Sequence, residues 1–219
     1  MRGLRAFTLV ELLTVIALIA ILAAILIPTL AGARTAANRT RTRVQFGQWV
    51  MAVEAFRQEY GGYPEFDPSG KVNGGASSVP SAEHRFHDVL AGRRRDGSAL
   101  PAAVPESAAA GAQNFRRMHF LAFAEGDFFP SDDPIPAQRN LLRDGFESPE
   151  MAVLVDRNLD GIIDQEDYAE LPAVEVPEGN GRALRPRMED FGGGVRAGVM
   201  FYSAPPRALD VSQLICSWK

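Results

Sequence analysis

The sequence has a single cysteine, Cys216, so an intrachain disulfide and a cysteine-rich metal cluster are both excluded. It has no strong charge of either sign. A formal net charge of -4 over 219 residues argues against a nucleic-acid binder that relies on a basic surface. Glycine and proline are scarce before residue 60 and frequent after it, which predicts a loop-rich second part built on short strands rather than long helices. No nucleophile–base set and no cofactor motif stands out, so no enzyme activity is expected. His84 and His87 are three apart, a spacing that suits a metal on a helix, but no third ligand accompanies them. Cys216 has no histidine paired to it by spacing and reads as a small packed residue. The composition that remains, 46% hydrophobic and 23% charged, fits one medium globular domain plus an anchor.

The charge that is missing from the N-terminal region is the most informative gap. After a short basic leader, Met1 to Ala6, the only charge between Phe7 and Ile27 is Glu11. At about 1.5 Å per residue this stretch spans roughly a bilayer core, and backbone in lipid must satisfy its own hydrogen bonds, so it is expected to be helical. A secretory signal peptide would share the basic start and could be cut at the small residues Ala31-Gly32-Ala33. A plain membrane anchor would share the length. Neither accounts for Glu11, because a carboxylate inside a membrane is costly and calls for a partner.

The segment Ala6-Phe7-Thr8-Leu9-Val10-Glu11 closely resembles the prepilin cleavage and methylation signal of type IV pilins and type II secretion pseudopilins. The resemblance implies a cut by a membrane prepilin peptidase between Ala6 and Phe7, followed by N-methylation of Phe7. It implies that Glu11 pairs with the terminal amine of a neighbouring pilin-like subunit, and that Pro28 is a helix-loosening proline of the assembly helix. The physics of a buried carboxylate agrees, since an ammonium in a dry groove gives it the cation it needs to stay ionised. Ala6 stands where the family usually has Gly.

Beyond Ala33 the sequence has no Gly or Pro until Gly47, and Phe46, Trp49, Val50, Val53, Phe56 and Tyr60 follow at helical spacing along one stripe. Gly61, Gly62 and Pro64 end the pattern. One helix of about 50 residues is expected, apolar all round in its first half and amphipathic in its second. Its ending, Glu59-Tyr60-Gly61-Gly62-Tyr63-Pro64, resembles the end of the long helix in pseudopilins. The expected organisation is a leader at 1–6, a transmembrane and assembly helix at 7–33, an amphipathic continuation at 34–64 and a globular domain at 65–219.

Residues 65–143 carry fewer signals. A short helix is expected from Arg85 to Leu90, with Phe86, Val89 and Leu90 on one side. The run from Gly92 to Gly97 contains Arg93, Arg94 and Arg95 and reads as a solvated turn rather than a phosphate site, given so few basic residues near it in sequence. Ala102 to Ala112 reads as a surface loop. Asp144-Gly145-Phe146-Glu147-Ser148-Pro149 partly resembles the segment that leads into the sheet of pseudopilins.

Met151 to Val155 is an apolar run of strand length. The twelve residues after it, Asp156 to Asp167, follow the EF-hand-type pattern. Asp156, Asn158 and Asp160 fall at positions one, three and five, and Gly161 at six allows the sharp turn. Ile162 would offer its carbonyl, Ile163 is apolar and suited to packing inward, and Asp164 and Asp167 supply further oxygens. With Asp rather than Glu at position twelve, the loop resembles dockerin-type loops, and a structural Ca²⁺ is expected. Pro172 stops any long helix from following.

Short strands are expected near Val174 and over Val195 to Ser203, with Gly192-Gly193-Gly194 as a turn and Leu214 to Trp218 closing the sheet. This last stretch loosely resembles the end of some bacterial pseudopilins. The expected fold is α+β, a long N-terminal helix packed on a small antiparallel sheet. The resemblance implies a structural subunit of a type II secretion-like pseudopilus, working with other pilin-like subunits, a prepilin peptidase and an inner-membrane assembly platform. Its C-terminal domain would lie in the periplasm, and no nucleic-acid partner is expected. A surface type IV pilus subunit and a membrane-anchored periplasmic calcium-binding module are the alternatives.

Overall fold

A computed structural model of the chain describes residues 9–101 and 109–218. Helix α1 runs from Leu9 to Tyr60. Internal contacts divide the chain into two compact units, Met1–Asn38 and Arg39–Lys219.

In the first unit the large apolar side chains of α1 from Leu9 to Ile27 are exposed, Leu9 at 77% and Ile27 at 69%. The helix is long and apolar enough to cross a membrane, and none of its most apolar stretch is buried among the described residues. The helix continues through Pro28 without a break.

In the second unit α1 becomes a core helix. Thr42, Gln45, Phe46, Trp49, Ala52, Val53 and Phe56 are buried, while Arg43, Gln48 and Met51 on the other faces are exposed. This spacing lays one stripe along the helix. Gly61 takes a positive φ of 82° and its N–H closes back on the Arg57 carbonyl at 2.8 Å, which ends the helix. Tyr63 then folds back over the last turn. Its hydroxyl donates to Glu54 Oε1 at 2.9 Å and accepts from Arg57 Nη1 at 3.0 Å. Burial, helped by the Glu54 carboxylate, pushes the Tyr63 phenol up to about 12.

The buried stripe packs on a three-stranded antiparallel sheet. Its strands are β1 (Met151–Val155), β4 (Val199–Ser203) and β5 (Ile215–Cys216), in the order β1-β4-β5. Val153 lies opposite Phe201, and Ser203 opposite Ile215. Between β1 and β4 the chain forms a separate antiparallel pair, β2 (Val174–Glu175) with β3 (Ala183–Leu184).

Both long strands are buried at every position, because the sheet is covered on both faces. Met151, Val153, Val199, Phe201 and Ile215 meet Phe46, Trp49 and Val53 of α1. Phe201 stacks on Phe46 with centroids 5.6 Å apart and meets Trp49 edge-on at 5.5 Å. Burying a large apolar side chain contributes roughly 1.5–3 kcal/mol, and a ring pair about 0.5–1.5 kcal/mol more. On the opposite face, Ala152, Leu154, Met200, Tyr202 and Cys216 meet Ile163, Val174, Leu184, Met188 and Val195. That second cover is loops, short 3₁₀ turns and the β2–β3 pair. A strand buried on both faces has no polar alternation, which explains the unbroken runs Met-Ala-Val-Leu-Val and Val-Met-Phe-Tyr-Ser.

Helix α2 (Arg85–Ala91) buries Phe86, Val89 and Leu90 as expected. Its histidines are structural: His84 Nδ1 accepts the His87 N–H at 3.4 Å, and His87 Nδ1 bonds Asp88 at 2.8 Å. Burial lowers both imidazoles, His84 to about 3. Two expectations are corrected. Of the proposed surface loop at 102–112, residues 102–108 lie outside the described residues, and the remainder enters α3 (Ala110–Gln113) with Ala110 and Gly111 buried. Gly111 sits so close to the Pro101 carbonyl that a Cβ would collide with it, so the segment is packed rather than solvated. The last long strand begins at Val199 rather than Val195, because Val195 instead bridges to Ile163.

Candidate functional site

The N-terminal residues singled out by the sequence divide at the edge of the described region. Ala6 and Phe7 lie outside the described residues. Glu11 falls in the first turn of α1 with its side chain exposed, and the Thr14 hydroxyl donates to the Glu11 backbone carbonyl at 2.9 Å. The first turn of a helix suits a carboxylate, because the positive end of the helix dipole lies there. Apolar side chains surround Glu11 in sequence on both sides, and all those described through Leu13 are exposed.

The second region is the loop from Asp156 to Asp167, which leaves β1 and returns beneath the sheet. Asp156 and Asp167, its first and last positions, are buried. Asp156 accepts the Leu159 N–H at 2.7 Å through Oδ1 and the Gly161 N–H at 2.8 Å through Oδ2. Asp167 Oδ1 accepts the N–H groups of Arg157 and Asn158 at 2.8 and 3.2 Å, and Oδ2 accepts that of Asp164 at 3.4 Å. Leu159 and Gly161 take positive φ values of 63° and 88°, which close the turn. Asn158 and Asp160 are exposed and bonded to one another, with Asn158 Nδ2 donating to Asp160 Oδ2 at 3.2 Å. Asp160 Oδ1 accepts the Ile162 N–H, and Asp164 Oδ1 accepts that of Glu166, each at 2.8 Å.

Ile163 is buried and exchanges two backbone hydrogen bonds with Val195, at 2.8 and 2.9 Å, which tether the loop to the sheet's second cover. Tyr168 closes the other side. The Arg157 guanidinium lies 4.2 Å over its ring, its hydroxyl accepts the Val155 N–H at 3.0 Å, and burial raises its phenol. The pattern residues thus share one closed loop. As they stand, no three His, Cys, Asp or Glu side chains among the described residues converge on one point as metal ligands; the carboxylates serve backbone N–H groups.

A third constellation carries no motif of comparable weight. Asp144 is buried, its Oδ1 accepting the N–H groups of Phe146 and Ser148 at 2.8 and 3.0 Å, and its Oδ2 accepting the Ser203 hydroxyl at 2.9 Å. Thr42 of α1 accepts the Gly145 N–H at 3.0 Å. This turn therefore ties the helix to the end of β4. Burial raises the Asp144 carboxyl, against the lowering effect of those hydrogen bonds. The spacing of Asp144 and Ser148 was the available signal for a self-bonded turn; the partners Thr42 and Ser203 lie far away in sequence.

Comparison with known proteins adds two findings. A family model described as the prokaryotic N-terminal methylation motif matches residues 1–27. The chain is also 40% identical, over 81 residues, to the type IV wide pilus major component PilA4 of Thermus thermophilus. That match covers 37% of this chain and 61% of the relative, so the chain spans less than two thirds of the relative's length. No solved structure matches the chain. With the methylation motif at its start and this pilin similarity, on a long apolar helix followed by a small antiparallel sheet, the chain is a type IV pilin-like protein.

Proposed function

We propose that this chain is a structural subunit of a type II secretion-like pseudopilus. It is stored in the inner membrane by the apolar half of α1, with residues 65–219 in the periplasm. A prepilin peptidase cuts between Ala6 and Phe7, and Phe7 becomes N-methylated. An inner-membrane assembly platform then adds the subunit to a fibre, helix against helix, beside other pilin-like subunits. The observation that carries this reading is the run of exposed apolar side chains charged only at Glu11, within and just beyond the methylation motif. Such a surface needs lipid or other helices around it. A carboxylate there pays a desolvation cost that a neighbouring ammonium offsets.

The test is the mass of the N-terminal peptide from host membranes. A peptide starting at Phe7 with one added methyl group is expected; a start at Arg34, or an intact Met1, sinks the reading. The similarity to a wide pilus major component favours a second reading, a subunit of a surface type IV pilus. Deleting the gene separates the two: retained exoproteins mark a pseudopilus, and lost surface fibres mark a pilus.

The 156–167 loop is further proposed to hold a structural Ca²⁺ through Asp156, Asn158, Asp160, Asp164, Asp167 and the Ile162 carbonyl. Each carboxylate oxygen has lone-pair capacity beyond the single N–H that most of them accept, and hard oxygen donors suit calcium.

A further inference from the structure

The turn expected to be solvated forms one wall of a basic cleft. Gly92, at φ 68°, caps α2. Arg93 then bridges to Ala99, and Arg94 N–H bonds the Ser98 carbonyl at 3.0 Å, so three consecutive arginines are carried on a tight hairpin. The opposite wall is the 119–132 segment, and Arg143 approaches from the strand-leading turn, its Nε donating to the Gly126 carbonyl at 3.2 Å. The cleft encloses about 560 Å³. Four guanidinium groups line it against two exposed carboxylates, Glu125 and Asp132. Glu147 partly offsets Arg143 at 3.4 Å.

Arg95 is the fixed element. Its guanidinium lies 3.8 Å over the Phe128 ring, and its Nη2 donates to Asn140 Oδ1 at 3.3 Å. Its Nη1, and the Nε of Arg94, are buried without a hydrogen-bond partner among the described residues. Burial pulls the Arg95 guanidinium down to about 10, opposed by Asp88 behind it, so it stays charged at neutral pH. A buried charged donor without an acceptor is costly. A guanidinium held flat by stacking is oriented for paired hydrogen bonds to an oxyanion.

We propose that this cleft is an oxyanion-binding site, taking a carboxylate or phosphate group with Arg95 as its central donor and Arg93 and Arg143 as its electrostatic rim. The site is independent of the fibre reading and of the calcium-type loop. The group can reach it as free phosphate or as carboxylates of a second copy of this chain, whose 160–170 segment exposes Glu166 and Glu170.

The test is calorimetric titration of the full chain in nonionic detergent with inorganic phosphate at low ionic strength. One saturable site is expected, weakened about tenfold or more in Arg95→Gln, as loss of a charge-assisted bond predicts. It should also weaken in Arg93→Gln, an exposed position where the fold is not at stake, and stay unchanged in Arg207→Gln, which lies outside the cleft. Absence of saturable binding, or full binding by Arg93→Gln and by a folded Arg95→Gln, overturns the proposal. A peptide of residues 160–170 that displaces the phosphate identifies a second copy as the source of the anion; phosphate binding that the peptide leaves untouched identifies the free ion.

Discussion

The two ends of α1 obey opposite rules. Between Leu9 and Ile27 the large apolar side chains are exposed and no described residue buries them, whereas between Thr42 and Phe56 one stripe is buried against a sheet and other faces are exposed. One continuous helix therefore carries an exposed apolar length and a length built into the core. The first part depends on what surrounds the protein, and the second on the protein's own core. Mutations should separate along this line, affecting either assembly or folding.

The largest effect is expected at Glu11. Glu11→Leu should reduce fibre incorporation, measured by sedimentation of sheared fibres, to background, while the thermal unfolding of the 39–219 unit stays unchanged. Equal incorporation would remove the assembly role of the carboxylate. Trp49→Ala should do the reverse. It opens a cavity among Phe46, Phe86 and Phe201 and should lower unfolding stability by about 3–5 kcal/mol, leaving cleavage at Phe7 intact by mass. A calcium chelator should next lower the unfolding temperature, because a ligand present at about 100 times its dissociation constant stabilises by roughly 2.7 kcal/mol. Asp160→Asn should blunt that response, and a chelator without effect on the parent chain would dismiss the ion.

The smallest expected effect is the pH dependence set by Asp144. Its folded carboxyl titrates above the usual range because of burial, so the folded state takes up a proton at a higher pH than the unfolded state does. Its contribution to stability is therefore fully present below the unfolded value, is lost as pH rises through the folded value, and is flat above it. Asp144→Asn should flatten that slope in unfolding measured across the acidic range; an unchanged slope would assign the titration to other groups.

Much of the long helix could be read from sequence because periodicity is a local property. Phe46, Trp49, Val53 and Phe56 declare a buried stripe without reference to anything else, and Gly61 declares its end. Strands β1 and β4 could be located, since Met151–Val155 and Val199–Ser203 are apolar runs of strand length. Their runs without alternation fit burial on both faces, but the loops and short turns that cover the second face carry no periodicity of their own. The second cover of the sheet was missed for that reason, as was α3, whose buried Gly111 looks like a loop residue out of context. The loop at 156–167 was legible as a pattern, and the structure brings its residues into one closed turn. The basic cleft was not legible: Arg95 and Arg143 are separated by α3 and the 119–132 segment, and only the fold places them on one cavity. The Asp144 latch was hidden in the same way, since Thr42 and Ser203 come from opposite ends of the globular unit.

The extra bridge at the sheet's edge has a consequence for life in a crowd. Lys71 pairs with Ala152, and the Val72 and Val153 N–H groups bond Met151 and Gly70 across the same border. The outer side of β1 is thus already occupied by a short piece of the chain itself, and β5 on the far side offers only two residues. Exposed strand edges are templates on which neighbouring molecules add strands and precipitate. With one border blunted and the other brief, copies packed at high local concentration can touch repeatedly and still part as separate folded units.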